Sequence, residues 1–408
     1  MKLFKVMDIK EVISIIRGSF PQSAEEELVK LRGALGRVLS EDISSEQRVP
    51  GFKRSSVDGY AIKASASAGA SEAMPAIFSL IGEVKMGEEA QRPLKSIEQC
   101  IYVPTGAMVP QGTDSVVMIE YSERLDEETI LINKPSYPGE NLIAEDEDIA
   151  LGEVVLKKGR KLKPYDIAVL ASLGIGEVKV FKKICCGIIS TGDELVSTSA
   201  IPGPGQVRDI NTYLLAALIE EAGAEPILYG IVKDDFNKLK DTLALAKEQC
   251  HLVLISGGSS VGKKDETLGA IEALENSELL VQGIAIKPGK PTIVAKADNK
   301  LIMGLPGHPL ACAVVFKGIV KEYIDMQYST LSEEVPISCR FSINYHSAKG
   351  REEFVPVQLQ YHEGELRAVP IITKSGIMSS FSKAFGYIRI DKNVEGIREG
   401  EEVLVYKF

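Results

Sequence analysis

Apolar positions in "DIKEVISIIRGSF" fall at helical spacing: Ile9, Val12 and Ile16 share one face, and Asp8 stands where a helix N-cap belongs. Beyond residue 49 the period shortens. "GEVKMGE", "CIYVPTGAMVPQGTDSVVMIE" and "TILINKP" alternate strand-like runs with Gly/Pro turns, predicting a small β-rich unit over 49–137. Within it, "KASASAGASEAMP" reads as a mobile loop of small residues. "KPYDIAVLASLG" reads as a helix, with Pro164 in its first turn and Gly174 past its end. From 179 to 327 apolar strands ("ICCGIIS", "EPILYGIV", "HLVLIS") alternate with helices ("NTYLLAALIEEAG", "DFNKLKDTLALAKE", "ETLGAIEALE"). That order predicts a mostly parallel sheet with helices on both faces. The last 80 or so residues return to alternation ("PISCRFSINY", "EEFVPVQLQY", "GYIRID", "EEVLVYKF"), predicting a small β-barrel or sandwich over 328–408.

Length agrees with this division, since 408 residues exceed one ordinary core. Composition is that of a globular chain, 45% apolar and 25% charged. Forty-seven basic residues against 57 acidic ones give a net charge of −10, which argues against nucleic acid as a partner. A small anion held by a few local cations stays compatible with it. The opening "MKLFKVMDIK" has no long apolar core, and no uncharged run approaches the ~20 residues a membrane helix needs. No membrane association is expected. Six cysteines form no C-x-x-C pair, and adjacent Cys185 and Cys186 read as strand residues, so the expectation is a reduced, cytoplasmic protein.

In a parallel α/β unit, ligands bind beyond the carboxyl ends of the strands. Four polar segments fall there: "STGDEL" (190–195), "VKDD" (232–235), "SGGSSVGKKD" (256–265) and "GLPGHP" (304–309). In the third, Gly257, Gly262 and Lys263 mimic a P-loop, but Lys264 stands where the magnesium-binding Ser or Thr belongs. Gly257 and Gly258 let backbone N–H groups approach an anion, and Ser259 and Ser260 add hydroxyl donors. Lys263, Lys264, Lys287 and Lys290 supply cations. The bland reading is a tight strand-to-helix turn that binds nothing. Asp193, Glu194, Asp234 and Asp265 would repel an anion at the same rim unless a divalent cation joined them, and Mg²⁺ prefers carboxylate and phosphate oxygens. Helix capping is the competing role for one of Asp234 and Asp235. His308, between two prolines, is either a ligand contact or a turn residue.

Taken in order, "SSVDGYAI", "VPTGAMVPQGTDSVVMIE", "GENLIAEDEDI", "STGDEL", "GQVRDINTYLL", "LISGGSSVGKKD", "IAIKPGKPT" and "GLPGHP" resemble the molybdopterin molybdenumtransferase family, MoeA in bacteria and the gephyrin E-domain in animals. The resemblance implies a multidomain α/β plus β fold. Its parts are an elongated N-terminal region (1–48 with 138–178), an inserted β-rich domain (49–137), a MogA-like three-layer αβα domain (179–327) and a C-terminal β-barrel (328–408). It implies a homodimer whose cleft uses both chains, with a MogA-type adenylyltransferase and molybdoenzymes as transient partners. The reaction implied joins adenylylated molybdopterin and molybdate, releases AMP and requires a divalent metal, Mg²⁺ or another.

Carried onto this chain, the resemblance makes Asp58, Glu194, Asp234 and Asp265 the catalytic acids, the last three also metal ligands. Substrate positions would be Thr105, Asp148, Gly257, Gly258, Ser259, Ser260, Gly262, Lys287, Lys290, Pro306, His308, Pro309, Arg351 and Ser375. Three departures stand out. The family segment "GENIRRxGEDI" here has Ile143 and Ala144 in place of both arginines and Asp146 in place of glycine. His308 replaces a commoner Asn, and Val355-Pro356 replaces Val-Arg. The first moves local charge from positive to negative, which raises the alternative of a non-catalytic molybdopterin-binding carrier or sensor.

Overall fold

The computed structural model describes residues 6–257, 266–330, 335–372 and 377–408. At its centre is a six-stranded sheet in the order Glu225–Val232, Cys185–Thr191, Leu252–Ser256, Lys300–Leu305, Ile293–Ala297 and Ser277–Gln282. Neighbours among the first four pair in parallel; the last two close the sheet as antiparallel strands. Period-two geometry sends Leu252 and Leu254 to one face and Val253 and Ile255 to the other. Leu215 and Ile219 of helix Asn211–Glu221 join the first cluster, and Leu239, Leu243 and Ala246 of helix Phe236–Gln249 the second. Helices on both faces leave no polar face, so strand Leu252–Ser256 is buried at every position.

The first helix, Ile9–Ser19, turns Ile9, Val12 and Ile16 into the same cluster, as the spacing predicts. Phe20 meets Tyr323 edge-to-face, ring centroids 5.6 Å apart.

Segments 26–55 and 142–181 run side by side as an interrupted antiparallel ribbon. Glu26–Lys30 pairs with Glu177–Phe181, Ile43–Ser44 with Val154–Leu156, Val49 with Ile149, and Arg54–Ser55 with Leu142–Ile143. A second six-stranded sheet, built from residues 59–132, sits at the ribbon's tip. There the run read as a mobile loop opens with a 3-10 turn, Ala64–Ser67, and continues as exposed turns over 71–74. The Ser67 hydroxyl donates to the Ala64 carbonyl and accepts from the Ser136 N–H. Three small residues, Ala64, Ser67 and Ala70, are buried and serve close packing.

Strands Ile337–Phe341, Glu352–His362, Glu365–Pro370, Gly386–Ile390 and Glu402–Lys407 form a barrel, closed because Glu352–His362 pairs with both Glu365–Pro370 and Gly386–Ile390. Closure removes the exposed edges a sandwich would leave. Parallel pairing of Ile286–Lys287 with Glu352–Glu353 joins the barrel to the α/β layers. Cys186 is fully buried and Cys185 partly so, both within a strand as expected. Among the described residues no helix is long and apolar enough to cross a membrane.

Candidate functional site

Register sets the geometry of the rim. Ser190, Ser256 and Leu305 lie side by side at the ends of three parallel strands, with Thr191 beside Val232 on the fourth. All four strands end on one side of the sheet. Against three of those ends lies a cavity of about 540 Å³. Of the expected residues, Glu194, Gly257, Pro306, His308 and Pro309 line it.

Asp234 joins the same rim. The Thr191 hydroxyl donates to Asp234 Oδ1 at 3.4 Å, and the Asp234 N–H donates to Asp193 Oδ1 at 3.3 Å. The Lys233 ammonium donates to the carbonyls of Asp193 and Leu195 at 2.8 and 2.9 Å, tying these loops together. Asp235 is the helix cap, its carboxylate accepting from the N–H groups of Asn237 and Lys238. That releases Asp234 for other work. Among the described residues neither Glu194 nor Asp234 has a cationic partner within ion-pair distance. Two such carboxylates on one rim suit a hard divalent ion. No group of three or more metal-ligating side chains occurs among the described residues. Asp265 lies outside them, as do Gly258, Ser259, Ser260, Gly262, Lys263, Lys264 and Ser375.

Gly257 has φ +107°, and a Cβ there would stand 2.1 Å from the Thr191 carbonyl oxygen. Only glycine lets strand Leu252–Ser256 end this close to strand Cys185–Thr191.

Beneath the cavity runs a polar network that sequence reasoning missed. Asp209 is buried; its Oδ1 accepts from the Ser190 hydroxyl and the Thr212 N–H, both at 3.1 Å, and its Oδ2 accepts from the Thr212 hydroxyl at 2.6 Å. Asn211 Nδ2 donates to Ser256 Oγ at 2.6 Å and to the Gly307 carbonyl at 2.8 Å, cross-linking two rim loops. Asn211 Oδ1 is buried without a partner among the described residues. The signal was present in "RDINT", four polar residues in five leading into an apolar helix, but it reads equally as a helix start.

Other expected residues lie elsewhere. Lys287 does not line the cavity; its ammonium pairs with Glu353 at 2.7 Å. Burial pushes the Glu353 carboxyl up, but Lys287 and the hydroxyls of Ser347 (2.6 Å) and Tyr345 (2.9 Å) outweigh it and hold the group below the usual range. Exposed Lys290 adjoins Pro291 on the cavity wall. Arg351 is half-buried where the chain enters the barrel strand of Glu353. Asp58 and Thr105 sit together in the inserted sheet, the Thr105 N–H donating to Asp58 Oδ1 at 2.7 Å. Exposed Asp148 lies on the ribbon, its N–H donating to the Val49 carbonyl.

The departures from the family segment acquire a setting. Asp146 has φ +61°, a conformation that favours glycine and that Asp tolerates better than most residues. Arg48 donates to Glu145 at 3.0 Å, and Ile143 pairs across the ribbon with Arg54, whose Nε is buried without a partner among the described residues. Arg54 therefore stands opposite Ile143, while the charge of Arg48 is compensated by Glu145.

Three family patterns match in order: "MoeA N-terminal region (domain I and II)" over residues 7–174, "Probable molybdopterin binding domain" over 187–326 and "MoeA C-terminal region (domain IV)" over 339–408. The chain is 33% identical to the molybdopterin molybdenumtransferase of Bacillus subtilis, covering 95% of this chain and 90% of that one. It is 32% identical to the Haemophilus influenzae enzyme of the same name, covering 95% of each. A crystal structure of the molybdopterin biosynthesis MoeA protein from Pyrococcus horikoshii OT3 superposes with a TM-score of 0.85 at 34% identity, covering 99% of this chain and all of that one. The ordered patterns, the near-full-length likeness and the shared architecture together establish that this chain belongs to the molybdopterin molybdenumtransferase family.

Proposed function

We propose that the protein acts in molybdenum cofactor biosynthesis by inserting molybdate into adenylylated molybdopterin with release of AMP. What carries the reading is the rim itself: Glu194, Gly257 and the "GLPGHP" loop line one cavity, and Asp234 stands beside it, hydrogen-bonded to the wall residue Thr191. A divalent cation, held by Glu194 and Asp234 and on this reading by Asp265, would neutralise charge at the pyrophosphate link. Thr191 orients Asp234, while the Asn211 cross-link fixes Gly307 against the third strand, so the loops need little reorganisation when substrate arrives. Lys290, beside the wall, offsets charge on the departing phosphate. In the bond exchange a water oxygen forms a new bond to the pterin-side phosphorus of the link and gives up a proton. The P–O bond to AMP breaks, and AMP leaves with the bridging oxygen, leaving a phosphate monoester on the pterin side.

A homodimer accounts for the second group of expected residues. Asp58, Thr105 and Asp148 lie away from the cavity of their own chain, and a cleft built from two chains would bring one protomer's inserted sheet to its partner's rim. Cytoplasmic location follows from the substrates this reading requires.

Protein supplied with adenylylated molybdopterin, molybdate and Mg²⁺ releases AMP on this reading, and Asp265→Ala abolishes release. Silence under conditions where the Bacillus subtilis enzyme turns over overturns it. Tight cofactor binding without AMP release identifies the carrier reading that Ile143 and Ala144 raise.

A further inference from the structure

A second cavity, about 550 Å³, opens between the ribbon and the α/β unit, away from the rim. Its walls carry six cations: Lys157, Lys158, Arg160, Lys161 and Lys163 from one turn of the ribbon, and Lys321 from the facing helix. Such a concentration is unexpected in a chain of net charge −10. Only two acids share the walls, and both are engaged: Glu221 by Lys317 at 3.0 Å and Asp325 by Lys321 at 2.7 Å. Arg160 binds Asp166, and the Lys161 ammonium donates to the Glu221 carbonyl at 2.8 Å. Among the described residues Lys157, Lys158 and Lys161 have no carboxylate within ion-pair distance. Burial, with the nearby charges of Lys321 and Lys317, holds the Lys161 pKa below its ordinary value even though Asp325 and Glu221 pull the other way.

A second observation points to a ligand. Thr330 lines this cavity, and among the described residues its buried hydroxyl has no partner. The walls are also fixed without a ligand. Gly159 has φ +81°, and a Cβ there would stand 2.4 Å from the Ser329 carbonyl oxygen, so the lysine turn is pressed against the segment that carries Thr330. Lysine ammonium groups and a hydroxyl donor around a preformed space match the oxygens of a phosphate chain. Several cations spread along one turn suit an anion with more than one phosphate better than a single tetrahedral oxyanion.

We propose that this cleft is a second anion site, independent of the reaction above, that takes a small oligophosphate, free or as the diphosphate part of a nucleotide. Titration calorimetry of the full-length protein with pyrophosphate, tripolyphosphate and ADP tests it. The expected result is saturable binding, with inorganic phosphate and molybdate at least tenfold weaker. ADP binding no better than pyrophosphate identifies the bare phosphate chain as the ligand; tighter ADP binding identifies a nucleotide. The Lys157→Gln/Lys161→Gln pair weakens binding at least tenfold, and Thr330→Val severalfold. Hydrogen exchange with tripolyphosphate shows protection over 154–163, unchanged by Lys290→Gln near the first cavity. Lys157 is exposed, so Lys157→Gln alone serves if the double variant misfolds. No saturable binding, unaltered affinity in the Lys157 variants, protection confined to 306–309, or tighter binding of an oligoglutamate peptide each overturns the proposal.

Discussion

Replacing Glu353 tests the contact that joins barrel to α/β layers. Its carboxylate is 4% exposed and accepts from three donors: the Lys287 ammonium, Ser347 Oγ and Tyr345 Oη. In Glu353→Ala the Ser347 hydroxyl, itself 1% exposed, loses its acceptor, at about 1–3 kcal/mol. Tyr345 is only partly buried and adds roughly 1 kcal/mol. The Lys287 side chain is 45% exposed and turns to water, so its share is below about 1 kcal/mol. The sum is about 3 kcal/mol. Glu353→Gln keeps the shape and one good acceptor and costs about half as much. The pH dependence has a definite sign. The folded Glu353 pKa lies below the ordinary 4.5, so its contribution is complete above about pH 4.5 and is lost as pH falls through the lower folded value. Native-state hydrogen exchange on peptides of strand Glu352–His362 reads this locally, where global unfolding of several domains is not two-state. At pH 7 Glu353→Ala speeds exchange about a hundredfold. The gap between wild type and Glu353→Gln, compared at equal pH so that intrinsic rates cancel, closes in acid. Exchange within threefold of wild type for the alanine variant, or a glutamine gap constant down to pH 3.5, refutes the reasoning.

Two further substitutions probe the rim. Asp209→Ala strands the buried hydroxyls of Ser190 and Thr212 and lowers stability by about 2–4 kcal/mol, read as a fall in Tm, while Asp209→Asn recovers part of it. Gly257→Ala forces the end of strand Leu252–Ser256 away from the Thr191 carbonyl, and under the proposed reaction a displacement near 1 Å at this loop reduces AMP release on the order of a hundredfold. An alanine variant as active as wild type removes Gly257 from the site.

Much of the site was legible because rim loops inherit their place from strand order. Once "ICCGIIS", "EPILYGIV" and "HLVLIS" are parallel strands, the segments after them share an end, which brings Glu194, Gly257 and the 304–309 turn to one candidate cavity and Asp234 to the same rim. Lys287 was not legible in this way. Its sequence neighbours place it near the site, but the acid that holds it lies 66 residues on, in the barrel, and nothing local connects the two. Asp209 and Asn211 were not legible either: the polar run "RDINT" is equally a helix start, and their buried partners Ser190, Ser256 and Gly307 lie on other segments.

By itself the sequence determined the kind of each layer and the end of the sheet where chemistry gathers. Period and turn chemistry act over a few residues, and parallel strands must all point the same way. Only the tertiary structure decided that two distant segments form a ribbon holding the inserted sheet away from the cavity. It also decided that the last strands close into a barrel and that a cluster of lysines lines a cleft of its own. Those outcomes depend on contacts between residues far apart in the chain, such as Glu26 with Phe181 and Ile337 with Val405, where burial and charge compensation are properties of the assembled surface and no local pattern encodes them.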